Sequence, residues 1–327
     1  GECAAGMVSG VGLIMAPAVG VSFAVAGMTS ARGRSHTFDV RADGYARGEA
    51  CGTVTLRQGG AAGGLLVLGS AVRQDGRSAS LTAPSGQAQQ GLLVAALADA
   101  GAVVDALGLS EAHGTGTALG DPIEAGSLAG AVLRRREGES GALAVGGVKA
   151  NIGHAEAAAG LTGLLKLAVG LLRGEAAPNA QLQALNPHVD SVLGGGTSAL
   201  PVQGGVVISG EQGGVSSFGY SGTIAHAAMC HMPSGQDVGG SLTTLSYARR
   251  DFAWRDPPHP FVQQCLPAAV ASKLFHSAAS GALLAVVAHH LVQGRIIFPG
   301  AGYLEFARAV APVDAVLRGV FFLQPLA

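Results

Sequence analysis

Aromatic side chains make up only 5% of this 327-residue sequence, and charged ones only 13%. So little charge excludes a solvated, disordered tail, because 48% of the residues are hydrophobic and 52 are glycine, a mixture suited to dense packing of small side chains. No block of like charge is present. Twenty Lys and Arg stand against twenty-one Asp and Glu, which leaves nothing to hold a nucleic acid backbone or an anionic membrane surface. Cysteine is sparse too: Cys3, Cys51, Cys230 and Cys265 are far apart and form no CxxC pair, so neither a zinc site nor a disulfide framework is signalled. Free thiols and no bound metal are expected. Acidic and basic residues are missing altogether from positions 3 to 31, a length that would satisfy a crude test for a membrane span. Pro17 and glycines at 6, 10, 12, 20 and 27 interrupt that run, and "MVSGVGLIMAP" is predicted instead as a strand buried on both faces and followed by a turn. No membrane span is expected.

Strand-like apolar runs, "GTVTL" (52–56), "GLLVLGS" (64–70), "ALAVGGV" (142–148) and "GGVVISG" (204–210), alternate with helical stretches at 88–101 and 157–174. This alternation predicts an α/β fold with a parallel sheet. The helix at 157–174 is apolar nearly all round and is predicted to be buried on most sides. Near residue 233 the sequence turns polar and glycine-rich, "PSGQDVGGSLTT", and a domain boundary is placed there. Seventy or so residues then remain, too few for a robust core by themselves. The chain opens at Gly1 inside what reads as a structural element, without a charged leader, and is expected to be a piece of a longer protein.

Two histidines lie beside glycine. His113 opens "HGTGTALG", and His154 closes "KANIGH" with Lys149 five residues before it. Glycine lets a backbone turn tightly and approach a ligand, so an imidazole on such a loop can point into a narrow pocket, although either one alone reads equally well as a core histidine. The run "GTGTALG" imitates a dinucleotide fingerprint, but its spacing is GxGxxxG and no acidic residue follows about twenty positions on, so no nicotinamide cofactor is expected. A third glycine-rich stretch, "GVSSFGYSGTIAHA" (214–227), could turn successive N–H groups toward an oxyanion or be an ordinary tight turn.

Taken in order, "FDVRADGYARGEACG" (38–52), "GSAVRQDGRSASLTAPSGQAQ" (69–89), "EAHGTGTALGDPIEAGSL" (111–128), "GGVKANIGHAEAAAGLTGLLK" (146–166) and "GVSSFGYSGTIAHA" resemble the ketosynthase domain of modular type I polyketide synthases over residues 1–232. The resemblance implies a partial thiolase-like fold of αβαβα layers, a cysteine nucleophile, and two histidines matched by His113 and His154 as catalytic residues. Lys149 would organise the site. Phe218 and Gly219 match the family's oxyanion turn, with Phe218 as a gating aromatic, and Thr115, Thr117 and Asn151 are placed with the substrate and oxyanion group. Substrates would arrive on the phosphopantetheine of an acyl carrier protein, and the ketosynthase would form a homodimer. The sequence also departs from the family. None of its cysteines has the Ala-Cys-Ser context of the nucleophile, and Cys51 matches a position without a catalytic role. "GGAAGG" (59–64) stands where relatives carry a charged segment. Arg73 and Ile224 replace asparagines, the latter change being expected to remove a hydrogen bond that orders the oxyanion loop.

"HHLVQGRIIFPGAGYLEFA" (289–307) fits H-x3-G-x4-P with His290, Gly294 and Pro299 and resembles the start of a polyketide synthase dehydratase, as does "PPHPF" (257–261). That implies a partial hotdog-type α+β segment in which His290 removes a proton α to a thioester, while an aspartate from a second half acts as the acid. "YARRDFAWRDPP" resembles the linker after an acyltransferase, yet no acyltransferase intervenes, so a separate one is expected. The expected organisation is a ketosynthase at 1–232, a linker at 233–257 and the beginning of a dehydratase at 258–327. A parent in the cytoplasm, or in a plastid, would condense and then dehydrate, while this piece alone would be inactive for want of the nucleophile and the aspartate. A non-elongating ketosynthase that only binds or transfers acyl chains and holds the dimer is the alternative. A fatty acid synthase or thiolase relative is disfavoured by "DGRSASLTAPSG" and the dehydratase motif.

Overall fold

The computed structural model describes residues 3–59, 64–76, 78, 83–137, 141–193, 197–232, 259, 261–266, 274–312 and 314–323. The expected linker, residues 60–63 of the "GGAAGG" run and the middle of "DGRSASLTAPSG" lie outside the described residues. The chain forms two compact units, Gly1–Gly240 and Ser241–Ala327.

The first unit begins with β1 (Ala5–Gly12), α1 (Pro17–Val25), β2 (Ala50–Arg57), β3 (Leu65–Gln74) and α2 (Gly86–Asp99). It continues through β4 (Leu107–Glu111), α3 (Gly120–Ala131), β5 (Leu143–Gly146), the single turn α4 (Lys149–Ile152) and α5 (Ala159–Arg173). β6 (Glu175–Ala176), α6 (Pro187–Leu193), β7 (Ser198–Ala199), β8 (Val206–Val207), β9 (Gln212–Phe218) and β10 (Thr223–His231) complete it. Six strands make the main sheet, in the order β3-β10-β9-β4-β5-β7. From β9 to β7 neighbours are parallel, as the alternating pattern predicts, but β3, β10 and β9 are antiparallel. The sheet is therefore mixed rather than parallel throughout, because the four residues between Phe218 and Thr223 suffice for a hairpin and not for a crossover.

β4 and β5 are buried along their whole lengths, as parallel strands covered on both faces should be. One face of the sheet is covered by α2 and α3, where Leu93, Leu97, Leu128 and Val132 share a core with Leu107 and Val145. Ser85 caps α2 by accepting the Ala88 N–H. On the other face α5 packs Leu167, Ala168 and Leu171 against Leu109, Val215 and Met229. Leu92, Leu143 and Leu167 are fully buried, each contributing roughly 1.5–3 kcal/mol by removal from water. Gly170 permits the close approach of α5, since a Cβ there would lie 2.6 Å from Leu109 Cδ2. The helix ends at Gly174 in the left-handed conformation usual for a C-terminal cap.

Three expectations change. α5 buries one face only, and Leu165, Val169 and Leu172 on its outer side are exposed. β1 is not a strand buried on both faces: it pairs antiparallel with β2 alone, and most of its residues are exposed. Its glycines serve a different contact, because a Cβ on Gly12 would lie 2.2 Å from Ala155 O and one on Gly10 3.2 Å from Ala158 Cα. The run at 204–210 yields only β8, which pairs with β6 outside the main sheet.

In the second unit β11 (Gln264–Leu266) pairs antiparallel with β12 (Leu274–His276). α7 (Gly281–Val287), the hairpin β13 (Leu291–Val292) and β14 (Arg295–Ile296), and α8 (Gly300–Val310) follow. Phe261, Leu283 and Val287 form its buried cluster, backed by Phe298 and Phe306. Among the described residues no helix is long and apolar enough to cross a membrane.

Candidate active site

Two loops at the ends of parallel strands bring His113 and His154 together. Beyond β4 the chain turns through Gly114 (φ +49°) and Gly116 (φ +77°), and a Cβ on Gly116 would lie 2.6 Å from the backbone nitrogen of His36. Glycine is needed there for conformation and for space alike. Beyond β5, α4 ends at Gly153 (φ +79°), and His154 docks on the segment beside Arg47, donating its N–H to Ala46 O at 2.7 Å and accepting the Gly48 N–H at 2.8 Å. The two imidazole centroids are 5.7 Å apart with the rings nearly perpendicular. The ring of Phe218 lies 5.3 Å from that of His113, and Tyr45 lies 4.8 Å from His154.

Hydrogen bonds to the backbone fix where each ring carries its proton. His113 Nδ1 accepts the Phe218 N–H at 3.2 Å, and His154 Nδ1 accepts the Glu156 N–H at 2.8 Å. An amide can only donate, so each neutral ring must hold its hydrogen on Nε2. Burial pushes His113 well below the usual histidine value, helped by the charge on Lys149 and by His154. Burial and Lys149 lower His154 from 6.5 to about 3. Both rings are therefore neutral Nε2–H donors at ordinary pH.

Lys149 is 3% exposed and donates its ammonium to the carbonyl of His113. Burial lowers its pKa, while the carboxylates of Glu111, Glu124 and Asp121 favour the charged form. These acids build the site, although the sequence reading singled out none of them. Glu124 accepts the N–H groups of His113 and Gly114 at 2.7 and 2.8 Å. Asp121 accepts those of Phe38 and Gly116 at 2.8 and 3.1 Å. Glu111 accepts the Val148 N–H and pairs with Lys166. Burial raises Asp121 to about 6 and Glu124 to about 7, the latter also through repulsion by Asp121. Their only signal was spacing: Asp121 and Glu124, three residues apart at the start of α3, share one face of that helix, and the structure turns that face inward.

The two histidines line a cavity of about 660 Å³ together with Thr115, Thr117, Phe218 and Gly219. The hydroxyls of Thr115 and Thr117 are 3.2 Å apart. Asn151 does not belong to this group: it is exposed and donates to Pro178 O at 3.1 Å, because the α4 turn carries it away from the histidines. The oxyanion role expected of the Phe218 and Gly219 amides is also corrected, since the first is taken by His113 and the second by Thr223 O at 2.7 Å. Ile224 is fully buried, and the loop before it is ordered by other bonds. Gly222 donates to Gly219 O, Asp75 donates to Gly222 O, and the Gln74 side chain donates to Ser221 O. None of the four cysteines lines the cavity; Cys3, Cys51 and Cys265 are exposed and Cys230 is buried. Among the described residues no three His, Cys, Asp or Glu side chains gather as metal ligands.

In the second unit His290 is exposed, and its Nδ1 lies 2.6 Å from Ile297 O. A carbonyl can only accept, so Nδ1 carries the proton and the neutral ring keeps a lone pair on Nε2. Gly294 (φ +76°) follows Gln293 (φ +50°) at the tip of the hairpin, where two successive positive φ values suit a tight primed turn. Pro299 caps α8. The H-x3-G-x4-P spacing thus encodes a histidine, the turn that brings a carbonyl back to it, and a helix start.

Family models agree with both halves. "Beta-ketoacyl synthase, N-terminal domain" matches residues 1–62, "Beta-ketoacyl synthase, C-terminal domain" matches residues 65–183, and "Polyketide synthase dehydratase domain" matches residues 259–327. The chain is 40% identical over 249 residues to a phenolphthiocerol/phthiocerol polyketide synthase of Mycobacterium tuberculosis, covering 72% of this chain and 13% of that protein. It is 39% identical over 246 residues to the erythronolide synthase EryA3 of Saccharopolyspora erythraea, covering 71% of this chain and 8% of that protein. The chain thus spans a small part of these relatives. Among solved structures, the ketosynthase from module 6 of the bacillaene synthase of Bacillus subtilis 168 superposes with a TM-score of 0.64 at 29% identity, over 70% of this chain and 42% of that one. The oxazolomycin ketosynthase domain of Streptomyces albus JA3453 gives 0.65 at 32% identity, with the same coverage. The chain belongs to the β-ketoacyl synthases of modular polyketide synthases, with a thiolase-like fold, and continues into the N-terminal sequence of a polyketide synthase dehydratase.

Proposed function

We propose that the first unit serves the acyl-transferring, decarboxylative Claisen condensation of an acyl thioester with a malonyl-type thioester held on the phosphopantetheine of an acyl carrier protein. When the bond to the malonyl carboxylate breaks, CO2 leaves and the electron pair moves into an enolate whose oxygen carries the charge. His113 and His154 donate their Nε2–H groups to that oxygen, and because both are neutral and already aimed they need little reorganisation. The enolate carbon then attacks the acyl thioester carbonyl and expels its thiolate. Lys149 steadies the His113 loop through its carbonyl, and Thr115 and Thr117 contact the carrier's arm. Residues 1–232 are assigned to the ketosynthase, 233–257 to a linker and 258–327 to the dehydratase, in which His290, oriented by the Gly294 turn and Pro299, accepts the α-proton on Nε2. The expected setting is a cytoplasmic homodimer supplied by a separate acyltransferase.

One observation carries this assignment: two facing imidazoles, 5.7 Å apart, each with its Nδ1 occupied by a backbone amide. In a polyketide synthase carrying this ketosynthase, His154→Ala should slow decarboxylation of a malonyl thioester by on the order of a hundredfold or more. Unchanged release of CO2 by a folded variant would overturn the assignment. A second reading, acyl-chain binding and dimerisation without condensation, has less use for two facing histidines. Decarboxylation without chain extension in the same assay would select it.

A further inference from the structure

Phe38, Glu156 and Gln293 are the non-glycine residues with positive φ among those described. Gln293 sits at a hairpin tip, but Glu156, at φ +48°, lies two residues beyond His154 and supplies the amide that holds its ring. An L side chain disfavours this conformation roughly tenfold, so something must retain it. Arg47 is placed to do so. Its Nε and Nη2 grip the two carboxylate oxygens of Glu156 at 2.5 and 3.1 Å, a fork-to-fork pair that fixes orientation as well as distance. The Arg47 side chain is only 12% exposed, and its guanidinium lies 5.4 Å above the ring of Phe23. Its chain neighbours Ala46 and Gly48 are hydrogen-bonded to the backbone of His154. The same short segment therefore holds both the backbone of His154 and the residue that orients its ring.

We infer that Arg47 is a positioning residue for the proton on His154: by clamping Glu156 in the left-handed conformation it aims the Glu156 amide at Nδ1 and so keeps the hydrogen on Nε2. The inference deepens the proposed role of His154 as a donor and rests on it for its chemical meaning. The position of the proton, however, is measured without any turnover.

The test uses the full chain labelled with 15N-histidine, in which the ring nitrogen shifts report the tautomer and His113 serves as the internal control. Arg47→Met should let His154 populate the Nδ1–H form, shifting the tautomer ratio by roughly tenfold while His113 keeps its signals. Arg47→Lys, with one charge but no fork, should fall between the two. A second pair of variants leaves Arg47 in place. Glu156→Ala removes the clamp from an L residue and should shift His154 as Arg47→Met does. Glu156→Gly also removes the clamp, but glycine takes a positive φ freely and should keep Nε2–H. Arg47→Met combined with Glu156→Gly should likewise return to Nε2–H. An unshifted His154 in Arg47→Met, or indistinguishable spectra for Glu156→Ala and Glu156→Gly, would overturn the inference, and the second comparison decides the matter if Arg47→Met does not fold. Normal decarboxylation by the His154→Ala synthase, alongside the expected tautomer shifts, would remove the donor chemistry and leave the clamp standing.

Discussion

In the first unit each of two imidazoles meets a backbone N–H, whereas in the second unit the imidazole of His290 meets a backbone C=O. The side chain is the same and the partner is reversed, so the proton sits on opposite nitrogens. His113 and His154 become hydrogen-bond donors at Nε2; His290, when neutral, becomes an acceptor there. The surroundings differ in the same sense. The first pair lines a cavity beside the buried Glu124, its loops held by further buried acids and a buried lysine, and His290 sits exposed at a hairpin. Stabilising an enolate oxygen asks for donors, and removing a proton asks for a lone pair, so on the proposed roles the direction of one backbone group would separate the two chemistries.

The sharpest way to break this comparison is spectroscopic, because the expected difference is all or none. Ring nitrogen shifts should place the hydrogen of His113 and His154 on Nε2 and that of neutral His290 on Nδ1. With its pKa lowered to about 3, His154 should also show no protonation between about pH 8 and 5. The sign follows from linkage: a histidine held neutral in the fold gives up stability as pH falls from its ordinary 6.5 toward about 3, since the unfolded chain takes up the proton first. A matching tautomer in all three rings would end the comparison.

Next in size is Lys149→Met. The buried ammonium donates to the His113 carbonyl and is favoured by the charges of Glu111, Asp121 and Glu124, so its removal leaves a buried acceptor unpaired, a loss of about 1–3 kcal/mol in urea unfolding. A loss below about 1 kcal/mol would mean that the acids are already neutral, which would narrow the difference between this pocket and the exposed hairpin of His290. The smallest effect is expected at Gly294→Ala, where φ +76° disfavours a side chain by about 1 kcal/mol. Amide exchange at Ile297, whose N–H bonds His290 O, should quicken about fivefold. Unaltered exchange would show that the turn does not hold the carbonyl against the ring.

Much of this arrangement is legible in the residues themselves. Glycines beside His113 and His154 announced tight loops, the alternation of apolar runs announced the α/β core, and the collinear stretches announced a ketosynthase followed by a dehydratase. Three features were hidden for physical reasons. The antiparallel pairing of β9 with β10 depends on the short connection between them and not on the strands, which read alike in either direction. Asn151 shares a motif with His154, but Gly153 ends the helix between them at a positive φ and turns the chain, and a motif lists neighbours in sequence rather than in space. The amides of Phe218 and Glu156 leave no trace in the letters at all, since every residue except proline carries one.

This last point bears on transplantation. Copying His113 and His154 into a foreign scaffold would transfer two imidazoles but not the places of their hydrogens, which belong to the paths of two other stretches of chain. The smallest portable unit of this chemistry is a set of crossing loops, and a designer who grafts only the named side chains should expect rings of mixed tautomer and little rate enhancement.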